Sequence, residues 1–136
     1  MTSPKRQIIK PAGTEYLYDN LHFAPATRVG DTIWVSGQVG IDASFKAGVG
    51  MEEQARFAFE AIKATLQAAG ADLTDVVELV SFHTNLRAEI ADFVKVKDEF
   101  FPDRYPSWTA VGVTELARPE FLVEVRIVAV AGSGAA

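Results

Sequence analysis

Phe121-Leu122-Val123-Glu124-Val125-Arg126-Ile127-Val128-Ala129-Val130 reads as a β-strand, and its alternation decides how the chain folds. Successive side chains of a strand point to opposite faces, so Phe121, Val123, Val125, Ile127 and Ala129 share one face. Glu124 and Arg126 fall on the other, with Leu122, Val128 and Val130. A carboxylate among apolar neighbours is costly unless something pairs it or uses it, which makes Glu124 the leading candidate for chemistry. The stretch before it, Tyr105-Pro106-Ser107-Trp108-Thr109-Ala110-Val111-Gly112-Val113, reads as a second strand.

Upstream, Ala88 to Phe101 has the spacing of a helix, with Ile90, Phe93, Val96, Phe100 and Phe101 on its apolar side and Pro102 as its stop. A strand of roughly Val76 to Thr84 precedes it, after a short turn that Thr74 is placed to cap. Met51, Ala55, Ala58, Phe59, Ile62, Leu66 and Ala69 recur at three- and four-residue steps and mark a longer helix. Glu52 and Glu53 suit its positive N-terminal end, and Gly70 its C′ position. Residues 39 to 50 carry three glycines and read as a loop. Ala26–Val29 and Thr32–Ser36 are strand-like arms joined by the hairpin pair Gly30-Asp31. Gln7 to Lys10 is a short first strand ended by Pro11, followed by an irregular segment. Both termini, including Ala131 to Ala136, read as loose.

This order predicts an α+β domain with both helices on one face of a mixed sheet. The second face, assigned Trp108, Leu122, Val128 and Val130, is too apolar to leave wet on a small protein. Other subunits are therefore expected to cover it.

The 136 residues, 49 % of them hydrophobic, fit a single domain with a real core. No apolar run is long enough to cross a bilayer, and the N-terminal stretch lacks the apolar region of a secretory signal. The chain has no cysteine, which excludes disulfides, thiolate metal sites and a cysteine nucleophile and accords with a cytoplasmic location. A net charge of −5, with the 13 basic residues scattered, argues against nucleic acid as a partner. His22 and His83 are the only histidines, too few and too far apart for a metal site. Gly48-Val49-Gly50 lacks the Lys-Ser/Thr ending of a phosphate loop and reads as a turn.

Arg28-Val29-Gly30-Asp31, Val35-Ser36-Gly37-Gln38, Glu53-Gln54, Ala68-Ala69-Gly70, Asp75-Val76-Val77, Pro106 and Val123-Glu124-Val125, in this order and spacing, carry a resemblance to a known family. From about Ala24 to Val130 the chain resembles the Rid family, also called YjgF/YER057c/UK114 and often labelled endoribonuclease L-PSP. The resemblance implies a chorismate-mutase-like fold and a homotrimer with ligand clefts between subunits. It also implies cofactor-free hydrolysis of reactive enamines and imines, such as 2-aminoacrylate, to a keto acid and ammonia.

The family's site residues carry over unevenly. Glu124 and Gly37 are retained. The arginine that clamps the substrate carboxylate is replaced by Trp108, and the active-site tyrosine by Phe23. An indole cannot supply a bidentate contact to a carboxylate.

For Glu124, proton work on an imine stands beside an ion pair with Arg126 or a neighbouring subunit. Trp108 is either an aromatic wall for a larger, flatter ligand or filler that shuts the cleft. Arg126 is a replacement anion anchor or the salt-bridge partner of Glu124; Phe23 lines the pocket or belongs to the core. His83 reads as structural and His22 as a solvated loop residue.

Three functions follow. The first is a deaminase of an enamine or imine larger than 2-aminoacrylate, such as 2-aminomuconate, with Glu124 and a water moving protons. The second is a non-catalytic homologue that binds a small molecule or a protein. The third, disfavoured by the charge balance, is a ribonuclease.

Overall fold

The computed structural model describes residues 4–135. Met1–Ser3 and Ala136, part of the termini expected to be loose, lie outside them. Six strands form one mixed sheet: β1 (Gln7–Ile9), β2 (Ala26–Val29), β3 (Thr32–Val39), β4 (Val76–His83), β5 (Ser107–Gly112) and β6 (Val123–Val130). Their order is β1-β2-β3-β6-β4-β5. Only β4 and β5 run parallel, joined by a helical crossover; the other pairs are antiparallel. The helices are α1 (Glu15–Asp19), α2 (Gly50–Ala68) and α3 (Leu86–Phe100).

The core lies between the sheet and α2 and α3, as the alternation of β6 predicts. Val123, Val125, Ile127 and Ala129 are buried against Ala55, Phe59, Ile62 and Leu66 of α2 and Phe93 and Val96 of α3. Phe59 is its centre, with ring centroids 5.6 Å from Phe93, 5.3 Å from Phe100 and 5.7 Å from Phe101.

The β3–β6 ladder is irregular. Val35 pairs with Ile127 but Gln38 with Val125, so β3 carries one extra residue in the Ser36-Gly37 step. Before the bulge, odd-numbered Ile33 and Val35 face the helices and Trp34 is 46 % exposed. After it, Val39 pairs with Glu124 and stands on the open face.

Four local expectations are corrected. The segment read as irregular contains α1, whose five residues are too few to show a helical period. The turn before β4 is capped by Asp72, not Thr74. The Asp72 side chain accepts from Leu73 N at 2.7 Å, and Asp75 Oδ2 accepts from Asp72 N at 3.2 Å. The C-terminal segment is tied down: Gly134 N donates to Asp75 Oδ1 at 2.8 Å, and Arg104 Nη1 to Gly134 O at 2.9 Å.

The fourth correction is Trp108, which lies on the helix face and not on the open one. Its Nε1 donates to buried Ser81 Oγ at 2.9 Å, its ring lies 5.8 Å from Phe93, and Lys97 Nζ sits 5.0 Å from it. Alternation says which residues of a strand share a face. It does not say which way an edge strand with two mixed faces turns.

Candidate functional site

Glu124 stands near the start of β6, beside Val39 of β3 and Phe82 of β4 in the register. Apolar neighbours on both flanks half-bury it. Burial pushes its carboxyl above the ordinary value of 4.5. Among the described residues it has no hydrogen-bond or ion-pair partner, so the expected Arg126–Glu124 pair does not form. Arg126 lies instead 3.9 Å from Glu78, across the β6–β4 ladder.

Gly37 is required here by close approach. A Cβ built on it would lie 2.7 Å from the Glu124 carboxyl carbon and 2.9 Å from Cγ. The bulge therefore brings bare backbone against the carboxylate.

Around this pair is a cleft of about 690 Å3. Tyr16 and Leu21 line it from α1 and the following turn, with Phe23; Val39, Ile41 and Phe45 from β3 and its loop; and Ala117, Arg118 and Phe121 from the loop before β6. A second cavity of about 390 Å3 shares Tyr16, Phe23, Gly37, Val39, Ile41 and Phe45 and extends the cleft past α1. The Tyr16 and Phe45 rings meet edge-on at 5.5 Å.

Gln54, fully buried on α2, positions two of these walls. Its amide donates to Gly48 O at 3.0 Å and to Glu120 O at 2.8 Å, and its Oε1 accepts from Leu122 N at 2.8 Å. One side chain thus fixes both the loop after β3 and the loop before β6.

Of the five residues singled out in the sequence, Phe23, Gly37 and Glu124 come together in the cleft. Trp108 and Arg126 do not. Trp108 is held on the helix face. Arg126 lines a different pocket, with Arg6 and His22. Sequence reasoning missed Tyr16 and Arg118. Tyr16 brings a phenol to the cleft, which Phe23 does not supply, and Arg118 brings a guanidinium. The first was hidden in an unrecognised helix and the second in a loop with no periodicity.

His83 is fully buried on the helix face. Its Nε2 shares a hydrogen bond of 2.7 Å with Ser81 Oγ, its ring meets Phe93 edge-on at 4.8 Å, and its Nδ1 has no partner. It does not line the cleft. Among the described residues no group of three or more His, Cys, Asp or Glu side chains is placed to hold a metal ion. No helix there is long and apolar enough to cross a membrane.

Residues 16–131 match the family described as Endoribonuclease L-PSP. The chain belongs to this family. It is the one the sequence resembles under the names Rid and YjgF/YER057c/UK114. Among L-PSP relatives, the RutC family protein YjgH of Escherichia coli (strain K12) is 40 % identical over 122 residues, covering 89 % of this chain and 93 % of the relative. A protein named 2-iminobutanoate/2-iminopropanoate deaminase from Dermatophagoides farinae is 33 % identical, covering 85 % and 89 %. The crystal structure of Rv2704 from Mycobacterium tuberculosis, described as a member of the YjgF/YER057c/UK114 family, has a TM-score of 0.80. It is 28 % identical, over 93 % of this chain and 99 % of that one.

Proposed function

We propose that this L-PSP family member hydrolyses an enamine or imine larger or flatter than 2-aminoacrylate, of the 2-aminomuconate kind. Its cleft is completed by a neighbouring subunit of a homotrimer, and Glu124 moves the protons. The observation that carries this reading is the unpartnered, half-buried Glu124 carboxylate packed on Gly37 in an apolar cleft. Burial raises its pKa above the ordinary carboxylate value, which suits a group that takes a proton from water and passes it to substrate. The relative named as an iminobutanoate/iminopropanoate deaminase supports the reaction class, and the aromatic walls support a large substrate body.

The enamine first becomes an imine by taking a proton at carbon and giving one up from nitrogen. Water then adds to the imine carbon: a C–O bond forms and the C=N π pair moves to nitrogen. Glu124 accepts the water proton and delivers it to that nitrogen. The remaining proton of that water, now on the hydroxyl, passes to nitrogen as the C–N bond breaks, so that ammonia leaves and the carbonyl product remains. Water is the only co-reactant, and no oxidation state changes.

The trimer is supported by the open sheet face. Trp34, Val77 and Val111 are 46 %, 40 % and 36 % exposed, beside Arg126 and partly exposed Val128. An apolar face of this kind asks for a cover, and Glu124 lies at its margin. A solution mass three times the 14.7 kDa chain is expected by analytical ultracentrifugation.

The test is ammonia release from freshly generated imines and enamines spanning 2-aminoacrylate, bulkier apolar imines and 2-aminomuconate. Wild type should turn over the larger members, and Glu124→Gln should lose on the order of 10²–10⁴-fold. Turnover unaffected by Glu124→Gln refutes the mechanism. No turnover of any member by folded trimer refutes the activity and leaves a ligand-binding homologue.

A further inference from the structure

Arg118 is the only cationic side chain among the described residues that line the Glu124 cleft. Arg28, Arg56 and Arg126 each face a carboxylate. Arg118 has no such partner among the described residues. Its Nη1 donates to Phe45 O at 2.8 Å, and its guanidinium carbon lies 5.2 Å from the Phe121 ring centroid. These two contacts hold one edge and one face of the group. A guanidinium carries five N–H donors, so four remain for a ligand.

Its loop is also anchored. Phe121 N donates to Arg118 O at 3.1 Å, and buried Gln54 grips Glu120 and Leu122 on either side of Phe121. The cation is therefore presented from a fixed turn.

We propose that Arg118 is the carboxylate anchor of this cleft, selecting a ligand that carries a carboxylate on an aromatic or conjugated body lying against Tyr16, Phe45 and Phe121. Arg118 would thus perform, from the loop before β6, the carboxylate-binding task that the resemblance assigns to the position of Trp108. An anion entering a cleft that already holds Glu124 needs a cation to offset the repulsion, and a planar guanidinium offers the paired donors a carboxylate accepts. The ligand carboxylate sits at the mouth, its apolar body fills the walls, and its C–N carbon faces Glu124. The last point rests on the deaminase reading; the binding assignment does not.

The test uses stable probes. 3-Phenylpropanoate and its amide are titrated into full-length wild type, Arg118→Gln, Arg118→Lys and Arg126→Gln, followed by calorimetry or amide NMR shifts. Wild type should bind the carboxylate at least about 10-fold more tightly than the amide. Arg118→Gln should abolish that preference while leaving amide affinity unchanged. Arg118→Lys should keep part of it, because charge remains but the paired geometry is lost. Arg126→Gln should match wild type.

A carboxylate preference that survives Arg118→Gln overturns the assignment. So does its loss in Arg126→Gln, or its absence in wild type. Imine turnover with KM unchanged by Arg118→Gln removes the anchor and leaves the deaminase. Arg118-dependent binding without turnover of any imine removes the deaminase and leaves the anchor.

Discussion

Replacing Trp108 with Phe keeps a ring over Phe93 and deletes the N–H that reaches Ser81. Ser81 Oγ is fully buried and loses its indole donor, keeping only the His83 contact. Losing such a hydrogen bond costs about 1–1.5 kcal/mol. The lost half of a part-buried indole adds roughly 1 kcal/mol of apolar area. With a urea slope of about 2 kcal/mol/M for a chain of this size, the midpoint should fall by about 1 M. The measurement is urea unfolding at fixed protein concentration, alongside titration of an aryl carboxylate into the cleft. Ligand binding should not change, because the ring is on the far side of the sheet from Glu124. Trp108→Arg should not restore the family's clamp. It would set a guanidinium about 5 Å from the buried Lys97 ammonium, a repulsion of about 3 kcal/mol at an effective dielectric constant of about 20. An unchanged midpoint in Trp108→Phe, or a cleft that binds more tightly once the indole is gone, refutes this placement.

Gly37→Ala should fold but push the Glu124 carboxylate aside. It should cost about 1–3 kcal/mol in urea unfolding and lower imine turnover by roughly 100-fold. Wild-type turnover in that variant would show that the close contact does not position the acid. For Glu124, the folded state holds its proton above the ordinary 4.5, so stability falls as pH rises from 4.5 through the raised value. Glu124→Gln should therefore be at least as stable as wild type at pH 7.5, compared by urea midpoint. Burial lowers the His83 pKa below 6.5, so the unfolded chain takes up that proton first and stability falls as pH drops below 6.5. NMR of the ring should find His83 still neutral at pH 6; a protonated ring there would contradict its burial.

Legibility in the sequence followed burial. The strict alternation in β6 and the three- and four-residue steps of α2 and α3 located the core, because a single apolar partner layer imposes a period on each. The pairing of β4 with β5, the bulge at Ser36-Gly37 and α1 impose no such period. Trp108 was misplaced for that reason: it is an aromatic on an edge strand, and either face of the sheet would have accepted it. Arg126 went to Glu78, its diagonal neighbour across the β6–β4 ladder, a partner fixed by a strand order that no local period in the sequence reveals. The cleft was only half legible. Glu124 and Gly37 lie on strands with readable registers, whereas Tyr16, Phe45 and Arg118 come from connections whose positions depend on Gln54 and on α1 packing.

The single extra residue in β3 sets a rule for how this chain can change length. Deleting it would leave the ladder in phase on both sides, because two residues of β3 already stand opposite one of β6. Gln38 would still pair with Val125 and Val39 with Glu124, but the doubled step that lays Gly37 backbone against the Glu124 carboxylate would be gone. A single insertion elsewhere in β3, unless a second bulge absorbs it, turns the later side chains to the other face, whereas the loop from Gly40 to Val49 bears no such parity. Homologues, natural or engineered, should vary there in single steps and hold the bulge constant, since one codon lost at Ser36-Gly37 spares the core and dismantles the cleft.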